Sequence, residues 1–324
     1  MLFNAFFMIY IKLTLSIFVL FFSLIGPYNS YLNYIPFNSS HYLNVVKGES
    51  IDVTISKISD LNFINKLFLR IYLNYNEIYQ FQAGEYQLAN KVLKNIINDL
   101  NNGKTVTHKL SITEGMNIYQ LNQLIDDSYL INDCHMLKCI KTDLSFKEGI
   151  IFPDTYYYKK NMLASNILQK SHDILIGHLN YFYKNKDLNN ELKKEEILIL
   201  ASIIEKEAGN NDEKFDISSV FLKRLSIDMK LQADPTIIYG LLPDFDGDIK
   251  KSDILDRNNK YNTYMIKGLP PTPIALVSLS SLDAAANATL GEYLYFVADS
   301  PSSHYFSKTY QEHLNKINDL GLNK

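Results

Sequence analysis

From Leu2 to Tyr28 a single charge, Lys12, interrupts an apolar stretch, and Leu13 to Ile25 holds only apolar residues and small hydroxyls. A bilayer core takes roughly 20 mostly apolar helical residues, so this stretch predicts a membrane span. The Gly26-Pro27-Tyr28-Asn29-Ser30 that follows is a poor match to the small-x-small site of a cleaved signal, which favours an uncleaved anchor. With Lys12 drawn to the cytosolic face, the chain after Tyr28 is expected outside. Residues 29–60 read as short extended pieces, and Ile51-Asp52-Val53-Thr54-Ile55-Ser56 alternates with period two, predicting a strand. Helical spacing over 61–73 and 89–100 flanks a turn running into a strand at 81–86, and Asn101-Asn102-Gly103 marks a boundary. Beyond it the pattern predicts a strand over 106–112, a helix over 117–125 and a turn-rich loop over 148–155. Helices are expected over 161–182, 192–208, 216–229, 280–288 and 309–318, with a strand over 293–298. The class is α+β, in three parts: an anchor at 1–28, a small domain at 29–104 and a larger domain at 105–324.

The helix over 192–208 is apolar almost all round, as a helix through a core must be. At about 100° per residue, Glu207 falls inside the arc of Ile197, Leu200, Ala201 and Ile204, whereas Glu205 and Lys206 point the other way. A carboxyl ending an apolar stripe is poorly solvated, so its pKa rises toward the range of a general acid. The plainer alternative is a last-turn glutamate paired with Lys206 or Lys214, and Glu205 reads as a solvated surface charge. Downstream, Asp234-Pro235-Thr236 has the form of a helix start with proline in first position. The runs Lys260-Tyr261-Asn262-Thr263-Tyr264 and Gly268-Leu269-Pro270-Pro271-Thr272-Pro273 make a stiff loop of aromatics and amides. Such groups bind sugar rings and hydroxyls, and equally make an ordinary proline-stiffened connection.

Charge and cysteine content narrow the partners. The chain has 324 residues, 32 basic and 35 acidic, a net charge of −3, which gives no broad basic surface for a nucleic-acid backbone. Cys134 and Cys139, with His135 between them, fall short of the four ligands of a structural zinc. A bridge between them is possible if the domain lies outside the cytosol, closing a short loop.

Taken in order, Ala201-Ser202-Ile203-Ile204-Glu205-Lys206-Glu207, the run Leu231 to Gly240, Tyr261-Asn262-Thr263-Tyr264 and Gly268-Leu269-Pro270-Pro271 resemble the endolytic murein transglycosylases of the MltG (YceG-like) family. Further matches are Glu114-Gly115-Met116, Phe152-Pro153-Asp154-Thr155, and a closing motif of Tyr293 to Asp299 with His304, Phe306 and His313. The stretch 81–86 resembles the family's small LysM-like domain. Two positions depart from the pattern: Ala208 stands where many relatives carry Ser or Thr, and Thr272 where Gly is common.

The resemblance implies a transmembrane helix, a LysM-like α/β subdomain and a mixed α+β catalytic domain built on a lytic-transglycosylase-like active-site helix. It implies non-hydrolytic cleavage of the β-1,4 bond between N-acetylmuramic acid and N-acetylglucosamine, leaving 1,6-anhydro ends, with Glu207 as the catalytic acid. Because the attacking hydroxyl belongs to the sugar itself, no second carboxylate is required, and the sequence offers no obligatory partner acid near Glu207. Gln232, Asp234, Thr236, Tyr239, Tyr261, Asn262 and Tyr264 are expected to line the glycan groove, with no metal or organic cofactor. The implied setting is the inner (plasma) membrane, spanned once, with a cytoplasmic N-terminus and a periplasmic catalytic domain. Expected partners are nascent glycan strands, whose polymerisation the protein would terminate, and peptidoglycan synthases. The alternative is a membrane-anchored peptidoglycan-binding scaffold with a decayed site, which Ala208 motivates.

Overall fold

The computed structural model describes residues 2–300 and 302–322. The protein is mixed α+β with an apolar N-terminal helix, and its packing divides it into two compact units, Met1–His108 and Lys109–Lys324.

The first unit opens with α1 (Leu2–Asn33), of which Met8–Asn33 is long and apolar enough to cross a membrane. From Met8 to Ile25 its large side chains are exposed. The helix does not end with the apolar run. Its last turns enter the unit's core, where Tyr31 and Leu32 are buried and the Tyr31 hydroxyl pairs with Ser59 Oγ at 3.2 Å. Next come β1 (Tyr42–Val45), α2 (Ile51–Ser56), α3 (Phe63–Tyr75), β2 (Gly84–Gln87) and α4 (Leu93–Asn102), with β1 antiparallel to β2 and Leu43 opposite Tyr86. The strand expected over 51–56 is instead a helix. Ser50 caps it by accepting from Val53 N, and the buried pair is the adjacent Thr54 and Ile55, a helical rather than an alternating arrangement. At the far end, α4 buries Ile96, Ile97 and Leu100 and stops at Gly103, whose φ of +64° suits a residue without a side chain.

The second unit is arranged around one helix. It contains β3 (His108–Ser111), α5 (Ile118–Asp126), β4 (Thr155–Tyr158), α6 (Ala164–Lys184), α7 (Lys194–Glu207), α8 (Lys214–Ser226), α9 (Asp234–Leu241), α10 (Lys251–Ile254) and α11 (Leu279–Asn287). It closes with β5 (Tyr295–Ser300), β6 (Ser303–Ser307) and α12 (Tyr310–Asp319). Every residue from Ile197 to Ile204 in α7 is buried, and α6, α8, α9 and α11 pack against that helix. Burying a large aliphatic side chain is worth about 1.5–3 kcal/mol, so a helix surrounded on all sides is apolar on all sides. The sheets are minimal: β3 pairs with β4, and β5 with β6 as an antiparallel hairpin that places Phe296 opposite Phe306. Cys134 and Cys139 are joined as a disulfide. The Asp234-Pro235-Thr236 start is a real helix start, displaced by one position: Ala233 occupies the cap, and Asp234 and Pro235 form the first turn of α9.

Candidate active site

Glu207 is the last residue of α7 and is only partly exposed. The residues around it come from three other segments: Arg224 on α8, Asp234 opening α9, and Tyr264 in the loop after α10. No described residue makes a hydrogen bond to its carboxyl. Burial, with the negative charge of Asp234 added and the Arg224 cation opposing, pushes the carboxyl up to about 8. A group in that state is protonated at neutral pH and has a proton to give. The plainer pairing with Lys206 or Lys214 does not form: Lys206 reaches toward Gly115 O at 3.4 Å, and Lys214 is bonded elsewhere.

Lys214 is bonded to Glu205, and this corrects the solvated role expected for that glutamate. Glu205 accepts from Ser278 N at 2.9 Å, Ser278 Oγ at 2.6 Å and Ser281 Oγ at 2.6 Å, with Lys214 Nζ at 3.2 Å. Burial opposes its charge, but these donors and the lysine outweigh it and hold the carboxyl below the usual range. The two glutamates of the Glu-Lys-Glu run are thus held in opposite states two residues apart. Glu205 is a charged bolt tying α7 to the N-terminus of α11, and Glu207 is an uncharged acid on another face.

The turn after Glu207 is gripped by the β5–β6 hairpin. Asn210 donates to Ser302 O at 2.5 Å, and Glu213 accepts from His304 N at 2.6 Å and pairs with His304 Nδ1 at 2.9 Å. The hairpin also holds Arg224. Its Nε donates to Leu294 O at 2.7 Å, its Nη1 to Leu231 O at 2.6 Å, and it lies 5.4 Å from the centre of the Tyr295 ring, against which His313 stacks at 5.2 Å. The closing motif therefore has a physical role in fixing the cation near Glu207.

The structure separates the residues expected to line a groove into two groups. Gln232 and Asp234 are exposed, and Tyr239, Tyr261 and Tyr264 are partly so. Gln232 has φ of +51°, a left-handed backbone costing about 1–2 kcal/mol for a residue with a side chain. That turn lets Gln232 project outward while Leu231 and Ala233 on either side are buried. Asp234 Oδ1 accepts from the Tyr264 hydroxyl at 2.7 Å. Tyr239 and Tyr261 meet at 4.7 Å, nearly edge to face, with the Tyr261 hydroxyl 2.9 Å from Thr272 Oγ1. Thr236 and Asn262 differ from these, being fully buried. Thr236 Oγ1 lies 2.6 Å from Ala233 O and 2.9 Å from Thr263 Oγ1, while Asn262 donates to the carbonyls of Asp253, Ile254 and Asp256. Their polar groups are used inside the protein, so they shape the loop from behind and do not reach its outer surface. Gly240 belongs with them, since a Cβ there would collide with the Asn259 amide that ties the same loop to α9.

Three features were not legible in sequence. Asp234, expected only as a sugar contact, sets a second carboxylate close enough to Glu207 to affect its proton. Arg224 sits on α8 and gave no signal. Glu148, on the loop over 148–155, is 4% exposed and accepts from Ile118 N and the Tyr239 hydroxyl at 2.9 Å each, and from Gly149 N at 2.8 Å. Burial pushes it up to about 7 against those donors. In sequence it is one residue of a turn-rich loop that precedes the Phe152-Pro153-Asp154-Thr155 motif, and only burial singles out the glutamate.

Residues 43–319 match the YceG-like family. A Bacillus subtilis (strain 168) protein named endolytic murein transglycosylase is 31% identical over 301 residues, 84% of this chain and 82% of its own length. One of the same name from Streptococcus pneumoniae (strain ATCC BAA-255 / R6) is 24% identical over 320 residues, 85% of this chain but 58% of its own. A crystal structure of a yceG-like protein from Listeria monocytogenes superposes over 85% of this chain and 98% of its own, with a TM-score of 0.55 and 29% identity. With the motifs, the fold and the second unit as far as residue 319 included in the match, the chain belongs to the YceG-like family.

Proposed function

We propose that the protein is an endolytic peptidoglycan lytic transglycosylase that cleaves the bond between N-acetylmuramic acid and N-acetylglucosamine and leaves 1,6-anhydro ends. The observation that carries this reading is a single part-exposed carboxyl, Glu207, held uncharged at the end of a buried helix. The shared name of the relatives from Bacillus subtilis and Streptococcus pneumoniae supports it. Protonated Glu207 donates to the glycosidic oxygen as the bond to the muramic acid C1 breaks. The Asp234 carboxylate beside it favours the positive charge developing at C1. Glu207, now a carboxylate, accepts the proton of that sugar's 6-hydroxyl as its oxygen bonds to C1, which restores the acid and closes the anhydro ring. Gln232, Asp234, Tyr239, Tyr261 and Tyr264 bind and orient the glycan, and Thr236 and Asn262 hold their loop. In this reading α7 is the active-site helix, the first unit after the anchor is LysM-like, and α1 is a single membrane span that holds the catalytic unit outside the membrane. A disulfide between Cys134 and Cys139 suits that oxidising side. Tethered there, the enzyme would terminate nascent strands next to the synthases.

The test is to incubate the full chain in detergent with purified peptidoglycan and to weigh the new glycan ends by mass spectrometry. Anhydro ends, lighter by one water than reducing ends, are the expected result. Reducing ends would mean that Asp234 activates water and the protein is a hydrolase, and bound but uncut glycan would make it a scaffold. Glu207→Gln keeps the shape and removes the proton, and is expected to slow cleavage about a hundred- to ten-thousand-fold. Undiminished cutting by that variant would remove Glu207 from the mechanism.

A further inference from the structure

Helix α3 is apolar on two faces, and only one of them is covered. Phe68, Leu69 and Leu73 are buried in the core of the first unit. On the other side Phe63, Leu67, Ile71 and Tyr75, each four residues from the last, are 86%, 46%, 48% and 86% exposed. Four-residue spacing places them in one row along the helix, and Ile64 widens it at 54% exposed. Of the exposed polar residues only Asn74 and Arg70 share this side of the helix, at the Phe63 edge, and an apolar row of this kind marks an interaction surface.

Its place in the fold identifies what covers it. Tyr28 and Tyr31 of α1 pack on Phe68 of α3, with ring centres 5.6 and 6.3 Å apart, and Pro27, Ser30 and Tyr34 share a concavity with Ile64 and Asn65. The apolar run of α1 ends at Ile25. At about 1.5 Å per residue, Tyr28 lies only about 5 Å beyond that end, within the roughly 5–8 Å of headgroups that flank each side of the hydrocarbon. So α3 meets α1 at the level of the headgroups. Its exposed face has the composition suited to that layer: aromatic rings at both ends, aliphatic side chains between, and exposed Arg70 to reach lipid phosphates.

We propose that the Phe63–Leu67–Ile71–Tyr75 face of α3 lies in the outer headgroup layer of the membrane that α1 spans, giving the first unit a second, sideways attachment to the lipid. This rests on the membrane-anchor reading of α1. The device would fix the orientation of the first unit on the bilayer, which a single spanning helix leaves free to swivel.

The chain contains no tryptophan, so one introduced indole reports on its own position without background. Leu67→Trp and Ile71→Trp are placed on exposed sites of the row, and Phe21→Trp on α1. Each full-length variant is reconstituted into phosphatidylcholine and phosphatidylglycerol vesicles with or without bromine at the top of the acyl chains, next to the headgroups, bromine being a quencher that acts only at contact. The proposal expects blue-shifted emission at positions 67 and 71, quenched by the brominated lipid, alongside quenching at position 21. Quenching at 21 with unquenched, water-like emission at 67 and 71 would overturn it and leave the anchor standing. Blue-shifted but unquenched emission at 67 and 71 would show that protein, a second copy or another chain, covers the face, and would also overturn it. An unquenched indole at position 21 would remove the anchor, and the proposal with it.

Discussion

Whether the site can act depends on one proton, and the groups around Glu207 pull on it in opposite directions. Burial raises its pKa most, the Asp234 charge raises it further, and the Arg224 cation lowers it. In the proposed mechanism the first step needs the protonated acid, so cleavage should hold through neutral pH and fall as pH rises through about 8. Asp234→Asn keeps an oxygen for the Tyr264 hydroxyl but removes the like charge, so the Glu207 proton leaves more easily and the alkaline limb moves to lower pH. A pH profile of kcat/KM checks this, and an unmoved limb would mean that the two carboxyls do not sense each other. Glu148 makes a different claim, about stability. Its folded value of about 7 lies above the ordinary 4.5, so the folded protein binds that proton more tightly than the unfolded chain. Stability is then full below 4.5 and is lost as pH rises through about 7. A shift of this size corresponds to on the order of 3 kcal/mol. Urea midpoints at about pH 5 and about pH 8 should differ for the wild type, and the difference should shrink in Glu148→Gln, which cannot titrate.

At the scale of elements, Glu148 joins pieces far apart in sequence: the N-terminus of α5 through Ile118, its own loop through Gly149, and α9 through Tyr239. If its task is to hold the Tyr239 ring against Tyr261, Glu148→Leu, which removes the acceptor, and Tyr239→Phe, which removes the donor, break the same bond, and the double variant should cleave no more slowly than the slower single one. Rates that multiply would show two independent roles. This kind of link also marks the limit of what the sequence shows. Long elements with a clear period, such as α6, α7 and α12, are legible within a few residues, because burial on one face or on all faces leaves a trace at fixed spacing. Six residues at 51–56 do not suffice, since a short alternating run fits a strand until Ser50 caps it as a helix. The eight-residue α9 carries Pro235 and Gly240, which hide its helical period. The poor solvation of Glu207 was legible because the carboxyl continues the apolar arc of its own helix. Glu148 and Arg224 were not legible, because their surroundings are made by Tyr239, 91 residues on, and by Leu294, 70 residues on. Glu205 was misread for the same reason, as Ser278 and Ser281 supply its bonds.

For the whole molecule, the point that matters is that the anchor and the first unit share a helix. The sequence places a boundary where the apolar run stops, near Tyr28, yet α1 continues to Asn33 and contributes Tyr31 and Leu32 to a core otherwise made of α2, α3, α4 and their strands. In the proposed setting, a helix that runs on without a linker from lipid into a folded core ties the orientation of that unit to the anchor, which a flexible linker would not. The continuity has a measurable consequence. Removing a large buried side chain costs about 2–5 kcal/mol, so losing Tyr31 and Leu32 together takes away a large part of the roughly 5–15 kcal/mol that stabilises a typical domain. A chain beginning at Pro27 keeps both residues and should fold its first unit, whereas one beginning at Tyr34 loses them along with the Tyr31–Ser59 hydrogen bond. Hydrogen exchange at the amides of Ile96, Ile97 and Leu100 in α4 reads the outcome, since all three side chains are buried in that core. Protection retained in the longer chain and lost in the shorter is expected, while α7 in the second unit, which has its own core, should stay protected in both. Equal protection of α4 in the two chains would mean that α1 only tethers the unit and adds nothing to its stability.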